Sequence, residues 1–288
     1  MKARAHHWLV SAAAPLLRTA SRAYVPGPLV EDALAWAQRA QAHGVATTIG
    51  YFNADDEVPS EVMQASLNAL DALASLQLRG YLSVKVPALG YDPNLLGRLA
   101  QAAQGRNILL HFDSHGPDTA DATLCALQTQ CRDGLRLGLT VPGRWLRSLD
   151  DAEWALQRGV RVRVVKGQWA CPQQPHRDAC EGFLAVVDRL AGRAAEVAVA
   201  THDAPLARAA VRHLRRAGTA CELELLPGLP RRAVLAVAEE LHVPVRLYIP
   251  FGQAWIPYAL GHVVRNPGLM LRTLRDSVSG LLQSRSLR

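Results

Sequence analysis

The chain has 288 residues, 49% hydrophobic and 20% charged, with a formal net charge of +7. That balance supplies a sizeable apolar core and excludes an intrinsically disordered chain. No apolar run approaches the roughly 20 residues that span a bilayer, which points to a soluble protein. The positive charge comes from scattered arginines such as Arg215, Arg216, Arg231 and Arg232 near predicted helix ends, without interleaved exposed aromatics, so nucleic acid is not expected as a partner. An anionic cofactor or an acidic membrane surface suits the charge equally well. Cys125, Cys131, Cys171, Cys180 and Cys221 are odd in number, dispersed and without a C-x-x-C, which favours reduced thiols and a cytoplasmic compartment.

The first 30 residues carry no acid before Glu31, and WLVSAAAPLL is apolar enough to raise a targeting signal. Ser11 and Pro15 interrupt it and Arg18 and Arg22 follow, which favours an amphipathic leader helix packed on the rest of the protein. Leu29 to His43 has helical spacing and stops at Gly44. Strand and helix patterns then alternate: strand Ala46 to Phe52, helix Ser60 to Leu78, strand Tyr81 to Pro87, helix Pro93 to Gln104, strand Asn107 to Asp113 and helix Thr119 to Cys131. Strand Leu135 to Val141, helix Leu149 to Arg158, strand Arg161 to Gly167, helix Arg177 to Ala191, strand Glu196 to His202 and helix Ala204 to Ala217 follow. Strand Cys221 to Leu226, helix Arg231 to Leu241, strand Val245 to Phe251 and a helical pattern from Trp255 complete eight βα units. Right-handed crossovers of this number close most naturally into an α/β fold of the (β/α)8 TIM barrel type, one domain over 1–288 with 1–44 as leader helices. An open doubly wound sheet is the alternative, but no glycine-rich dinucleotide fingerprint follows any strand.

Such a barrel carries its chemistry at the C-terminal ends of its strands. Those ends hold Lys85 in SVKVPALG, Asp113 in HFDSH, and Arg163, Lys166 and Trp169 in RVRVVKGQW. Thr201 and His202 stand in ATHD, Glu222 and Glu224 in ELELLPG, and Tyr248 on the last strand. Singly, each has a plain structural explanation: a strand lysine reaches for the rim, a strand-end histidine fills the core, an aspartate after a strand caps the next helix. Together they converge on one face. On the last helix Tyr258, Gly261, His262 and Arg265 fall at i, i+3, i+4 and i+7, a single face just beyond a strand end.

These segments resemble one family. YIPFGQAWIPYALGHVVRNP is similar to the last strand and final helix of the flavin-dependent proline dehydrogenases, matching at Tyr248, Pro250, Gly252, Trp255, Pro257 and Tyr258. RVRVVKGQW resembles the family's R-L-V-K-G-A-Y, ATHD its A-T-H-N, SVKVPALG its S-V-K-x-[ST]-x-L-G, and ELELLPG its F-E-F-Q-M-L-x-G with Glu224 in place of glutamine. The segment TVPGRWLRS lacks the family's Q-A-Y. The family's paired arginines, which grip the substrate carboxylate, are replaced by Gly261 and His262, and its glutamate by Arg265.

The resemblance implies FAD as cofactor, with Asp113, Arg163, Lys166, Gly167, Trp169, Thr201, His202 and Glu224 on the cofactor side and Lys85, Tyr248, Tyr258 and His262 on the catalytic side. A pyrophosphate suits Arg163, Lys166 and the N–H groups near Gly167, and flavin carbonyls suit Lys85 and Arg163. Trp169 either stacks on a cofactor ring or covers the barrel mouth. The function implied is oxidation of the C–N bond of proline or, in preference, of a proline-like cyclic or secondary amine. Hydride passes to the flavin and electrons go on to an acceptor such as a quinone, with a peripheral membrane contact left open. Two alternatives stand beside it. His111, Asp113 and His115 alternate along one strand and, with Lys166, His202 and Asp203, loosely resemble a barrel metal hydrolase; the other is a catalytically inactive barrel kept as a binding module.

Overall fold

The computed structural model describes residues 26–252. Its strands are β1 Ala46–Tyr51, β2 Gly80–Val84, β3 Leu110–Phe112, β4 Leu137–Pro142, β5 Arg161–Val165, β6 Glu196–Ala200, β7 Ala220–Leu225 and β8 Val245–Phe251. Its helices are α1 Val30–Ala42, α2 Pro59–Ser75, α3 Pro93–Gly105, α4 Ala120–Gln130, α5 Ser148–Gln157, α6 Ala179–Leu190, α7 Ala204–Arg216 and α8 Arg232–Glu240. All neighbouring strands are parallel and in chain order. The barrel closes where β1 pairs with β8, from Ala46 opposite Arg246 to Tyr51 opposite Phe251. The expected (β/α)8 barrel is therefore the fold.

Local chemistry explains where the elements start. Asp92, Asp178 and Asp203 accept from main-chain N–H groups at the first turns of α3, α6 and α7, and prolines occupy the first turns of α2, α3 and α7, where a donor is dispensable. Helix α2 buries Val62, Met63, Ser66, Ala69, Leu70 and Leu73, a stripe of helical period. α1 packs on β1 and β8, and Gly252 N–H donates to the Pro28 carbonyl at 3.0 Å, tying the end of the last strand to the start of α1. The leader pattern before Pro26 and the helical pattern from Trp255 lie outside the described residues.

Several strands end or begin short of the periodicity-based limits, and for β2, β3 and β5 the local cause is visible. Pairing of β2 stops at Val84 because Pro87–Leu89 folds into a 3-10 turn. β3 starts only at Leu110, since Asn107 takes a left-handed conformation (φ 53°) to turn the chain out of α3. β5 stops at Val165, two residues before Gly167, whose φ of +94° no strand residue adopts.

The apolar core lies between strands and helices. Ile49, Leu82, Phe112, Val162, Val199, Leu223 and Ile249 point outward and meet the helices there. The alternate positions face the barrel interior, and they are polar: Thr48, Tyr81, His111, Thr140, Arg161, Arg163, Glu222, Glu224, Arg246 and Tyr248 bond to one another across it. Barrel interiors of this type are usually filled with branched apolar side chains. Here the interior is a charged network.

Candidate active site at the strand C-terminal ends

A cavity of about 950 Å³ opens at the C-terminal ends of the strands. Lys85, Asp113, Arg163, Lys166, Gly167, Trp169, Thr201, His202, Glu224 and Tyr248 all line it, so the structure gathers every described residue of the expected cofactor and catalytic sets, while Glu222, His111 and Asp203 are not in its lining. Tyr258 and His262, with Gly261 and Arg265, lie outside the described residues.

The interior polar residues form two tiers. In the lower one, Arg161 and Arg246 both pair with Glu222, and Arg161 also reaches Glu196 at 3.1 Å. The upper tier centres on Arg163, only 4% exposed at its side chain, whose Nε donates to Glu224 at 2.9 Å and whose terminal nitrogen donates to Asp113 at 2.6 Å. Tyr81 joins the tiers: its hydroxyl donates to Glu224 (2.9 Å) and accepts from Arg161 (3.1 Å) and Arg163 (3.2 Å). Its ring also lies 4.3 Å from the Arg246 guanidinium carbon. Burial pushes the Glu224 carboxyl up, but Arg163, Arg246 and Arg161 outweigh it and hold the group below the usual carboxylate range.

Above Arg163, Asp113 is shared. Its second oxygen accepts from the Tyr248 hydroxyl at 2.8 Å, and Tyr248 lies edge-on to Phe52. Burial raises the Asp113 carboxyl, yet Arg163 and Lys85 hold it low, so it stays anionic; burial and the Asp113 charge push the Tyr248 phenol far up, so it stays protonated and donates. Tyr248 fits because residue 50 is glycine: a Cβ there would overlap its hydroxyl. Half-buried Lys85 donates to the Tyr51 carbonyl at 2.8 Å with its ammonium 3.5 Å from the Phe52 ring centre. Burial lowers its pKa to about 8, with Asp113 opposing and Arg163 assisting the shift.

The remaining candidates sit on the rim. Lys166, just past β5, pairs with Asp203 at 2.7 Å; burial opposes its charge, but Asp203 prevails and it stays an ammonium. Gly167 follows with its positive φ, and a Cβ there would come 2.9 Å from the Pro142 side chain, so the loop turns as it does only with glycine. Trp169 is 38% exposed and stacks on His115 with ring centres 5.8 Å apart. The Thr201 hydroxyl accepts from the Asp203 N–H at 3.1 Å. His202 is spoken for: Nδ1 meets the Pro230 carbonyl at 2.9 Å, which requires Nδ1–H, and Nε2 accepts from the Leu226 N–H at 3.0 Å. Only its ring face is left for a ligand.

No protein-family model matches the chain. Over 269 residues, 87% of this chain and 88% of the relative, it is 24% identical to Proline dehydrogenase 1 of Bacillus subtilis subsp. natto. The counterpart from Bacillus subtilis strain 168 is 23% identical over the same span. Among solved structures, proline utilization A (PutA) from Bdellovibrio bacteriovorus inactivated by N-propargylglycine superposes with a TM-score of 0.77 at 12% identity, covering 90% of this chain and 34% of that one. PutA from Corynebacterium freiburgense gives 0.71 at 17% identity, covering 96% and 34%. This chain is proline dehydrogenase-like. It spans about a third of those PutA chains, which share the barrel with it.

Within this proline dehydrogenase-like barrel, the reading of His111, Asp113 and His115 as metal ligands finds no assembled site. His111 is fully buried, bonds Thr140 at 2.8 Å, stacks on Tyr81 and is kept neutral by burial, while His115 stacks on Trp169. Among the described residues no group of three or more His, Cys, Asp or Glu side chains is placed to hold a metal ion. Sequence reasoning missed Thr48, Tyr81, Thr140, Arg161 and Arg246 as members of the network. A signal was present: charged or phenolic residues two apart in otherwise apolar strands (Arg161 and Arg163, Glu222 and Glu224, Arg246 and Tyr248) mark an inward polar face.

Proposed function

We propose that this proline dehydrogenase-like barrel is an FAD-dependent oxidoreductase that oxidises the C–N bond of proline or, in preference, of a proline-like cyclic or secondary amine. The observation that carries this is convergence. Residues at the ends of β2, β5, β6, β7 and β8, each in a segment that resembles a proline dehydrogenase motif, line one cavity together with Asp113 after β3. Its volume of about 950 Å³ is near the top of the usual range for ligand sites and large for a small amine alone.

The donor set fits a flavin dinucleotide. Lys166 and the main chain at Gly167 supply positive charge and N–H groups suited to a pyrophosphate, and the buried Arg163 guanidinium supplies a fixed positive charge suited to ring carbonyls. Trp169 offers an exposed aromatic face for stacking. When bound, the flavin supplies a two-electron acceptor for hydride from the carbon beside the amine nitrogen.

The protein's own work is to hold the amine, take its proton and exclude water. Lys85, with a pKa of about 8, becomes able to accept the proton from the amine nitrogen as pH rises through about 8. Asp113 presents a fixed anion beside it, held in place by the Tyr248 hydroxyl. The substrate preference rests on sequence alone: Gly261 and His262 stand where the family's carboxylate-gripping arginines stand. A free carboxylate is left half-paired there, which favours an amine lacking one or a larger proline derivative. Electrons pass to a quinone-type acceptor. No described helix is long and apolar enough to cross a membrane; we place the single-domain protein in the cytoplasm, with any membrane contact peripheral.

The test is the absorption spectrum of the purified or FAD-reconstituted protein. Flavin bands with stoichiometric FAD release on denaturation are expected. A colourless protein that ignores added FAD and carries zinc or manganese overturns the reading in favour of a metal hydrolase.

A further inference from the structure

We propose that Glu224 is a positioning residue that acts through Arg163: held beneath the guanidinium, it cancels its charge at the cavity floor and lowers the reduction potential of a flavin bound above. The inference rests on the preceding reading of the cavity as a flavin site.

Glu224 already accepts three hydrogen bonds from the protein and is almost fully buried. Oε1 takes the Thr48 hydroxyl at 2.7 Å, and Oε2 takes Tyr81 at 2.9 Å and Arg163 Nε at 2.9 Å, with the side chain 2% exposed. Its influence on the cavity therefore runs through Arg163. That guanidinium is itself held on every side, by Glu224, Asp113, Thr140 (3.2 Å) and Tyr81 (3.2 Å), so it cannot turn to find another partner.

Charge counting between the tiers shows why Glu224 matters. In the lower tier Arg161 and Arg246 are offset by Glu222 and Glu196. The lower tier thus makes no ion pair with Glu224, although Arg246 and Arg161 still favour its charge through space. In the upper tier one guanidinium faces two carboxylates, Glu224 and Asp113, with Lys85 a second cation lining the cavity and Lys166 at the rim offset by Asp203. A neutral amide at position 224 would leave the floor one unit more positive. Two-electron reduction with uptake of one proton adds a negative charge to a bound flavin, so a more positive floor favours the reduced state. The resemblance to proline dehydrogenases places glutamine at this position; Glu224 is this chain's own choice.

The experiment uses the full-length protein loaded with FAD, titrated with dithionite against a reference dye. Glu224→Gln keeps the shape and removes the charge; Glu224→Asp keeps the charge and changes the shape. Expected is a rise in midpoint potential for Glu224→Gln of at least tenfold in the oxidised-to-reduced equilibrium, about 30 mV for two electrons, with Glu224→Asp staying within about threefold of the parent, roughly 14 mV. A structural role alone moves both alike, and that result overturns the proposal. So does a shift below about twofold, roughly 9 mV, in Glu224→Gln. Should Glu224→Gln not fold, Tyr81→Phe replaces it: charge is unchanged while a bond to Glu224 and one from Arg163 are lost, so the potential is expected within about threefold of the parent, and a tenfold shift overturns the charge argument. If the parent takes up no flavin at all, the functional proposal falls first and this one with it; if flavin binds and the variants behave alike, this one falls alone.

Discussion

Arg163→Ala is the sharpest test of the barrel interior. The substitution removes the cation between Asp113, 13% exposed, and Glu224, 2% exposed, and leaves both carboxylates facing a void. Taking one partner from a buried ion pair costs about 3–5 kcal/mol, because the other charge stays buried without compensation. At about 2–4 °C per kcal/mol for a protein of this size, the melting temperature should fall by about 6–20 °C. The pH dependence has a definite sign. In the parent, burial pushes both carboxyls up but Arg163 holds both below their ordinary values, so their stabilisation is present above about pH 4 and lost only as pH falls through the depressed values. In the variant the upward push of burial loses its main opponent, and the cost of the carboxylates is relieved as they take up protons on acidification. The gap between parent and variant should thus be widest at pH 8 and narrower at pH 5, by thermal melts followed with far-UV circular dichroism. Arg163→Ala combined with Glu224→Gln should be more stable than the sum of the single effects, since it removes one of the two stranded charges. A melting temperature within about 2 °C of the parent at pH 8, or a gap that widens towards pH 5, would refute the buried network as described.

Four further outcomes are expected. Lys166→Ala should weaken FAD binding about ten- to a hundredfold by fluorescence titration, the loss of one charge-assisted hydrogen bond; unchanged affinity would remove Lys166 from the cofactor site. Amine oxidation should rise with pH through about 8 as Lys85 becomes neutral, and Lys85→Met should abolish that limb; a profile with the same limb in the variant assigns the base elsewhere. Gly50→Ala should displace the Tyr248 hydroxyl from Asp113 and cost about 1–3 kcal/mol in urea denaturation, while Gly105→Ala, whose Cβ meets nothing within 4 Å, should not. Free L-proline should be turned over poorly beside proline amide or a proline ester in steady-state assays; comparable turnover that disappears in Arg265→Ala would restore plain proline as substrate.

Much of this was legible in one dimension. Strand and helix periods are local properties of a chain, so the eight strands, the seven helices between them and the barrel followed from spacing alone, and the placing of Lys85, Asp113, Arg163, Thr201, His202 and Tyr248 towards the strand ends followed from the barrel. Element ends were less legible, because Asn107 and Gly167 turn the chain by adopting positive φ, which spacing does not register.

What only the closed structure decided is pairing. Arg163 and Glu224 are separated by 61 residues and Tyr248 and Asp113 by 135, and they meet because β1 pairs with β8 in one register and brings all eight strands around a common axis. The sequence alone marked His202 as a ligand contact; the fold spends both its nitrogens on the Pro230 and Leu226 main chain. The resemblance put Glu224 on the cofactor side; the fold sets it in the cavity lining and ties it to Thr48, Tyr81 and Arg163, partners that spacing does not reveal. Alternation tells that Arg161 and Arg163 share a face, but whether that face looks to water, to helices or to four carboxylates depends on closure, a non-local event that no window of sequence contains.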